Sequence, residues 1–263
     1  MSRIKRGWAL TKKSWALLNE HRELVRFPIY GGVATILLGI LFLGPGAYFL
    51  DQHTYGAGIA LVVIGVYVLS VIGIYFSVGL AACADLIFRG QDGTVADGMS
   101  VARSRFAQIC GWAALSTAFG LIVGTLESQG GAFGEIAGRL VGTAWSLVTF
   151  LSVPVIAIEG TGPVGTLKRS ASLFKARWGQ QITGNIAIGA AVTLLGLLPA
   201  AALIFVGLVI WPSAGFAGAV LVVIGALVLC VALVISKALS GIFGVALYRY
   251  ALDGEVVGGF TQA

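Results

Sequence analysis

Polar and apolar positions in this chain of 263 residues segregate into long blocks. Six apolar runs, at about 28–50, 57–88, 107–126, 140–158, 182–211 and 216–249, are separated by short polar segments. Each is long enough for the roughly 20 residues a helix needs to cross ~30 Å of hydrocarbon, so the pattern predicts six transmembrane helices. The first run follows a basic stretch, as the core of a signal peptide does. It is longer than the roughly 7–15 residues of such a core and no globular block follows, so it is expected to persist as the first span.

The short polar segments repeat. Counting back from an aromatic residue ahead of the first, third and fifth runs (Trp15, Phe106 and Trp178), the same template recurs. Eleven residues earlier stand Ile4, Val95 and Leu167; seven earlier, Trp8, Met99 and Ala171; four earlier, Thr11, Ala102 and Phe174; three earlier, the cations Lys12, Arg103 and Lys175. Positions spaced in this way share one face of a helix. Each copy is expected to be a short amphipathic helix lying in the membrane interface, anchored by Trp8, Trp15, Phe106 and Trp178, with its cations in water.

The junction Asp92-Gly93-Thr94-Val95 through Gly98-Met99 recurs after the last run as Asp253-Gly254-Glu255-Val256 through Gly259-Phe260, and in degraded form at Glu159-Gly160. The expected fold is an all-α membrane protein in which the six spans form three interfacial-helix-plus-hairpin repeats around a pseudo-threefold axis. A single membrane domain, 1–263, would divide into repeats at 1–90, 91–160 and 161–252 and a tail at 253–263. All repeats run in the same sense, unlike the inverted repeats of many transporters.

Charge orients this arrangement. Of the 17 Lys and Arg residues, all but Arg139 and Lys237 fall before the first run, between the second and third, between the fourth and fifth, or at the end of the sixth. The opposite loops carry Asp51 and His53, then Glu127, Glu135 and Arg139. Positive charge accumulates on the cytoplasmic side, which predicts cytoplasmic N- and C-termini in a multi-pass protein of the plasma (inner) membrane. The composition, 58% hydrophobic and 11% charged, lies far from the roughly 25% charged residues of soluble domains. The net charge of +6 is therefore expected to serve anionic lipid headgroups, with no nucleic acid as partner. Cys83, Cys110 and Cys230 show neither paired spacing nor a neighbouring His, and are read as small core residues; no metal or other cofactor is expected.

Two charges in the apolar runs are candidates for a polar path. Lys237 is the lone basic residue within a run, and an ionisable group there is a functional hypothesis by default. Asp85 stands four residues before Arg89, a spacing that puts both on one helix face. If the inner ends of the second and sixth spans pack together, Asp85 and Lys237 can meet. Gly160-Thr161-Gly162-Pro163-Val164-Gly165 has the spacing of a dinucleotide fingerprint, but it follows a membrane span and contains a proline, so it reads as a loop. Gly44-Pro45-Gly46, Pro154 and Pro199 mark kinks.

The stretch Ser2-Arg3-Ile4-Lys5-Arg6-Gly7-Trp8 through Ser14-Trp15, with Lys168-Arg169-Ser170-Ala171 and Ala176-Arg177-Trp178-Gly179, resembles an uncharacterised family of bacterial and archaeal six-span integral membrane proteins. More distantly, the plan of interfacial helix plus hairpin is similar to the membrane domain of glycerophosphodiester phosphodiesterases. The resemblance implies a fold and a compartment but no catalytic residue. With no set of nucleophile and base and no carboxylate cluster, the chain is expected to be a non-enzymatic scaffold, accessory subunit or assembly partner acting on a protein partner in a membrane complex. The alternative is a channel or carrier for a small solute or lipid, lined by Lys237, Asp85 and the proline-broken helices.

Overall fold

A computed structural model describes residues 18–129, 131–176 and 192–253, which are helical almost throughout. Six stretches are long and apolar enough to cross a membrane: Arg22–Asp51, Tyr55–Phe88, Phe106–Ser128, Phe133–Glu159, Thr193–Ile210 and Gly215–Leu252. Helices α1 (Arg26–Asp51) and α2 (Tyr55–Phe88) form the first hairpin; the short α3 (Val95–Ser104) leads into α4 (Phe106–Gln129). Helix α5 (Gly131–Val148) returns, α6 (Ser152–Glu159) completes the fourth span, and α7 (Pro163–Ala176) follows. A π turn at Thr193–Leu197 opens the fifth span, α8 (Leu198–Ile210), which pairs with α9 (Gly215–Asp253).

The prolines account for the irregularities. A proline ring clashes with the carbonyl four residues back and offers no N–H. Pro154 sits three residues into α6, and the fourth span turns out of helix at 149–151, where that clash would fall. Pro199 follows directly on the π turn. Pro45, in contrast, is carried inside α1 with no interruption.

Burial is concentrated at one end of the bundle. Leu24, Phe27, Val78, Ile109, Leu151, Ile156, Ile242 and Val245 are all buried there. Toward the other end Ile36, Leu37, Ile40, Phe133, Phe205 and Phe216 are exposed, as expected of helices whose outward faces meet lipid and whose backbone is satisfied internally.

Helix α3 begins with a reciprocal cap. The Thr94 hydroxyl accepts from the Asp97 amide at 3.2 Å and the Asp97 carboxylate accepts from the Thr94 amide at 3.0 Å, so two N–H groups at the helix start are satisfied. The expected stripe is present, but it faces protein. Ala102 is fully buried, Val95 and Met99 pack on the core, and Gly98 lies so close to Gly79 of α2 and the Phe27 ring that no side chain fits between them. Phe106 is exposed, with its ring edge-on to Tyr75 at 6.3 Å between centroids. In α7 the buried stripe is shifted by one residue from the template: Thr166, Ser170 and Leu173 are buried, while Leu167, Ala171 and Phe174 are half-buried. The shift arises because Ser170 donates to the Val148 carbonyl and Thr166 to that of Thr161, so hydroxyls occupy places that an apolar count passes over.

The three hairpins do not make equivalent units. The second and sixth spans are continuous while the fourth is broken, and α2 touches α3, α4, α6 and α9, whereas α8 packs chiefly along α9. The pseudo-threefold arrangement has no support in this packing. The first copy of the template, with Trp8 and Trp15, the anchor Trp178 and the repeated frame from Gly254 onward lie outside the described residues.

Candidate functional site

The described end of the bundle that carries α3 and α7 also carries two charge nodes, each built around a carboxylate at the last turn of a span. Asp85, with 9% of its side chain exposed, receives Arg89 Nη2 at 2.9 Å on one oxygen. Its other oxygen receives Arg249 Nε at 2.7 Å and Nη2 at 2.6 Å. Both nitrogens converge on one oxygen, and because donor and acceptor are ionised the Nε hydrogen bond is stronger than a neutral one. This node ties α2 to α9.

The second node lies one residue along α9. Tyr248 donates its hydroxyl to Glu159 Oε1 at 2.6 Å, and Arg169 Nε donates to the same oxygen at 2.8 Å. The hydrogen bond to Glu159 is the largest influence on the Arg169 guanidinium and raises its affinity for its proton. Glu159 ends α6, Arg169 lies on α7 and Tyr248 on α9, so this node joins the fourth span, its following helix and the sixth span. Neighbouring residues on a helix point about 100° apart, which lets Tyr248 and Arg249 reach different partners from one turn.

Lys237 belongs to neither node. It is exposed on α9, twelve residues before Arg249, or ~18 Å up the helix. The C-terminal ends of the second and sixth spans do pack together, with Leu80 against Gly241, and that register brings Arg249 rather than Lys237 to Asp85. The expected meeting of Lys237 with Asp85 is therefore not made; Asp85 is a buried ion-pair partner of Arg89 and Arg249. Glu135 and Arg139 pair with each other on the exposed face of α5.

The glycine-rich stretch at 160–165 is a helix end. Gly160 closes α6 at φ 65° and Pro163 starts α7. The Arg105 guanidinium occupies the place a side chain at Gly160 would need. Cys83 is buried with its thiol 3.3 Å from the Gly93 carbonyl, Cys110 is half-buried and Cys230 exposed, all three free. Among the described residues no group of three His, Cys, Asp or Glu side chains is placed to hold a metal ion.

Beside the nodes, a cleft of about 410 Å³ opens between the first span and the loop ahead of α3, lined by His21, Glu23, Arg26, Asp92 and Thr94 among others. The Asp85–Arg89 pair is legible from its spacing, whereas Glu159 reads from the sequence as a junction residue and Arg249 as a boundary charge. The available signal was a carboxylate at the last turn of both the second and fourth spans, where an uncompensated acid would be costly.

A model of a family of unknown function, DUF6159, matches residues 56–259, most of the chain and all of its spans but the first. Neither a curated protein nor a solved structure matches it.

Proposed function

We propose a function from the residues themselves, because the chain belongs to DUF6159, a family of unknown function that lends it no activity. It is a non-enzymatic scaffold or assembly partner in the plasma membrane, with both termini and the end bearing α3 and α7 in the cytoplasm. The distribution of Lys and Arg supports that orientation, and the same cations would meet anionic headgroups. The likeness of α3 and α7, each a short helix leading from one hairpin to the next, supports an origin by repetition. A distant kinship with the membrane domain of glycerophosphodiester phosphodiesterases remains part of this reading on the plan of a short helix followed by a hairpin.

The observation that carries the proposal is the pair of charge nodes at Asp85 and Glu159, which tie the second, fourth and sixth spans and α7 into one block. Helices tied together in this way present a fixed face on which a partner can dock. Close helix contact through glycine supports the same reading: Gly65 against Phe42, Gly207 against Val222 and Gly225 against Ile204.

The test places a photo-crosslinking residue at Ser100 and at Arg103, both exposed on α3, in cells making the full chain. Adducts to one discrete membrane protein, absent when the probe is at Tyr55 on the far end, are expected. Solute or lipid flux in vesicles holding this protein alone, abolished by Lys237→Met, would overturn the proposal in favour of a channel or carrier.

A further inference from the structure

The cleft between the first span and the loop ahead of α3 has charges of both signs on its walls. Residues 21–26 supply His21, Glu23 and Arg26; the facing segment supplies Asp92 and Thr94. His21 Nδ1 and Glu23 Oε1 already meet at 3.1 Å. Among the described residues, Arg26 and Asp92 form no ion pair with each other or with any other group. A cation and an anion that line one space without touching are each left to solvent or to a ligand carrying both signs.

Location narrows the ligand. Arg26 begins α1 and Asp92 stands three residues before α3, so the cleft lies where the apolar spans give way to polar chain, at the depth of lipid headgroups. Its volume of about 410 Å³ falls within the roughly 300–1,000 Å³ of small-molecule sites. The amide of Thr94 is already capped by Asp97, which leaves the Arg26 guanidinium as the wall's permanently charged anion-binding group, beside the His21 ring whose Nδ1 meets Glu23.

We infer that this cleft binds a phosphate joined to a primary ammonium, with the phosphate on Arg26 and the ammonium on Asp92, Glu23 standing near. An arginine fork suits phosphate, and a primary ammonium has three N–H donors for carboxylates to accept. A quaternary ammonium has none and is held by aromatic cages, and among the described residues no Phe, Tyr or Trp lines the cleft. The site therefore selects ethanolamine over choline. This chemistry is shared by the headgroup of phosphatidylethanolamine and by soluble phosphoethanolamine compounds. The inference goes beyond the scaffold reading and does not depend on any protein partner.

Native mass spectrometry of the full-length protein in detergent, titrated with short-chain phosphatidylethanolamine, phosphatidylcholine and phosphatidate, and with glycerophosphoethanolamine, tests it. Phosphatidylethanolamine is expected to be retained about tenfold more tightly than phosphatidylcholine, the worth of one charge-assisted hydrogen-bonded contact. Asp92→Asn should erase that preference and Arg26→Gln should weaken both lipids, while Asp51→Asn at the opposite end changes neither. Both targeted side chains are exposed, and unchanged melting of each variant separates loss of binding from loss of fold. Binding of glycerophosphoethanolamine with the same dependence on Asp92 assigns a soluble ligand; binding of the lipid alone assigns the membrane. Equal retention of ethanolamine and choline lipids, a preference that survives Asp92→Asn, or phosphatidate bound as tightly as phosphatidylethanolamine would overturn the inference.

Discussion

The two ends of this bundle are held together by different means. At the end bearing α3 and α7, helices meet through buried side chains and two charge nodes, with Tyr248 and Asp85 almost wholly removed from solvent. At the other end, α8 and α9 touch through Gly207, Gly218 and Gly225, and large side chains such as Phe205 and Phe216 point away from the protein. Lipid is as apolar as the outward side chains, so the halves away from α3 and α7 gain from close backbone packing rather than from burial. Perturbing one end should therefore resemble damage to a soluble core, and perturbing the other the loosening of a hairpin in lipid.

The largest effect is expected from Asp85→Ala. It leaves Arg249, 17% exposed, without its carboxylate, and breaking such a pair from one side costs about 3–5 kcal/mol. Unfolding of the detergent-solubilised protein should register it. Next comes Gly98→Val, which drives a side chain into Gly79 and Phe27 and should cost about 1–3 kcal/mol as overpacking. Gly207→Val crowds Val222 in the third hairpin in the same way, yet it should cost less, because α8 can tilt away into lipid. Equal losses from the two would erase the distinction between the ends.

A smaller effect concerns pH. Hydrogen bonds from Thr94 lower the Asp97 carboxyl below its usual range. A depressed carboxylate contributes above its unfolded-state value and loses that contribution as pH falls through the folded value. Hydrogen exchange in the first turn of α3 should therefore quicken as pH is lowered through the acid range after correction for intrinsic rates, and Asp97→Asn should remove the dependence. Smallest of all is Lys237→Met, at an exposed position on α9. A change within ~0.5 kcal/mol is expected, as for substitutions clear of packing and pairs, and a large loss of stability would mean that this charge has a partner.

The spans were legible because a run of some twenty apolar residues has few other uses. The break in the fourth span was legible as a kink at Pro154, but proline alone does not decide it, since Pro45, equally marked in the sequence, leaves α1 unbroken. The shifted face of α7 was not, because Thr166 and Ser170 are buried through hydroxyl-to-carbonyl bonds that no apolar period reveals. Of the charge nodes, only Asp85–Arg89 could be found, being four residues apart. Arg249 reaches Asp85 across 164 residues of sequence and Tyr248 reaches Glu159 across 89, separations that carry no periodic signal. For the same reason Lys237, conspicuous by its place in an apolar run, attracted a role that falls to Arg249.

The central claim, that paired charges lock the spans together at the end bearing α3 and α7, is tested most directly by a double-mutant cycle between Asp85 and Arg249. Stability of Asp85→Leu, Arg249→Leu and the double variant would be measured by denaturant unfolding in one detergent. The account predicts that the double variant loses less than the sum of the singles, by roughly 1–3 kcal/mol, as contacting residues do. Strictly additive losses would show that the two side chains do not act as a pair, and the lock at Asp85 would be the wrong description of how the second and sixth spans are joined.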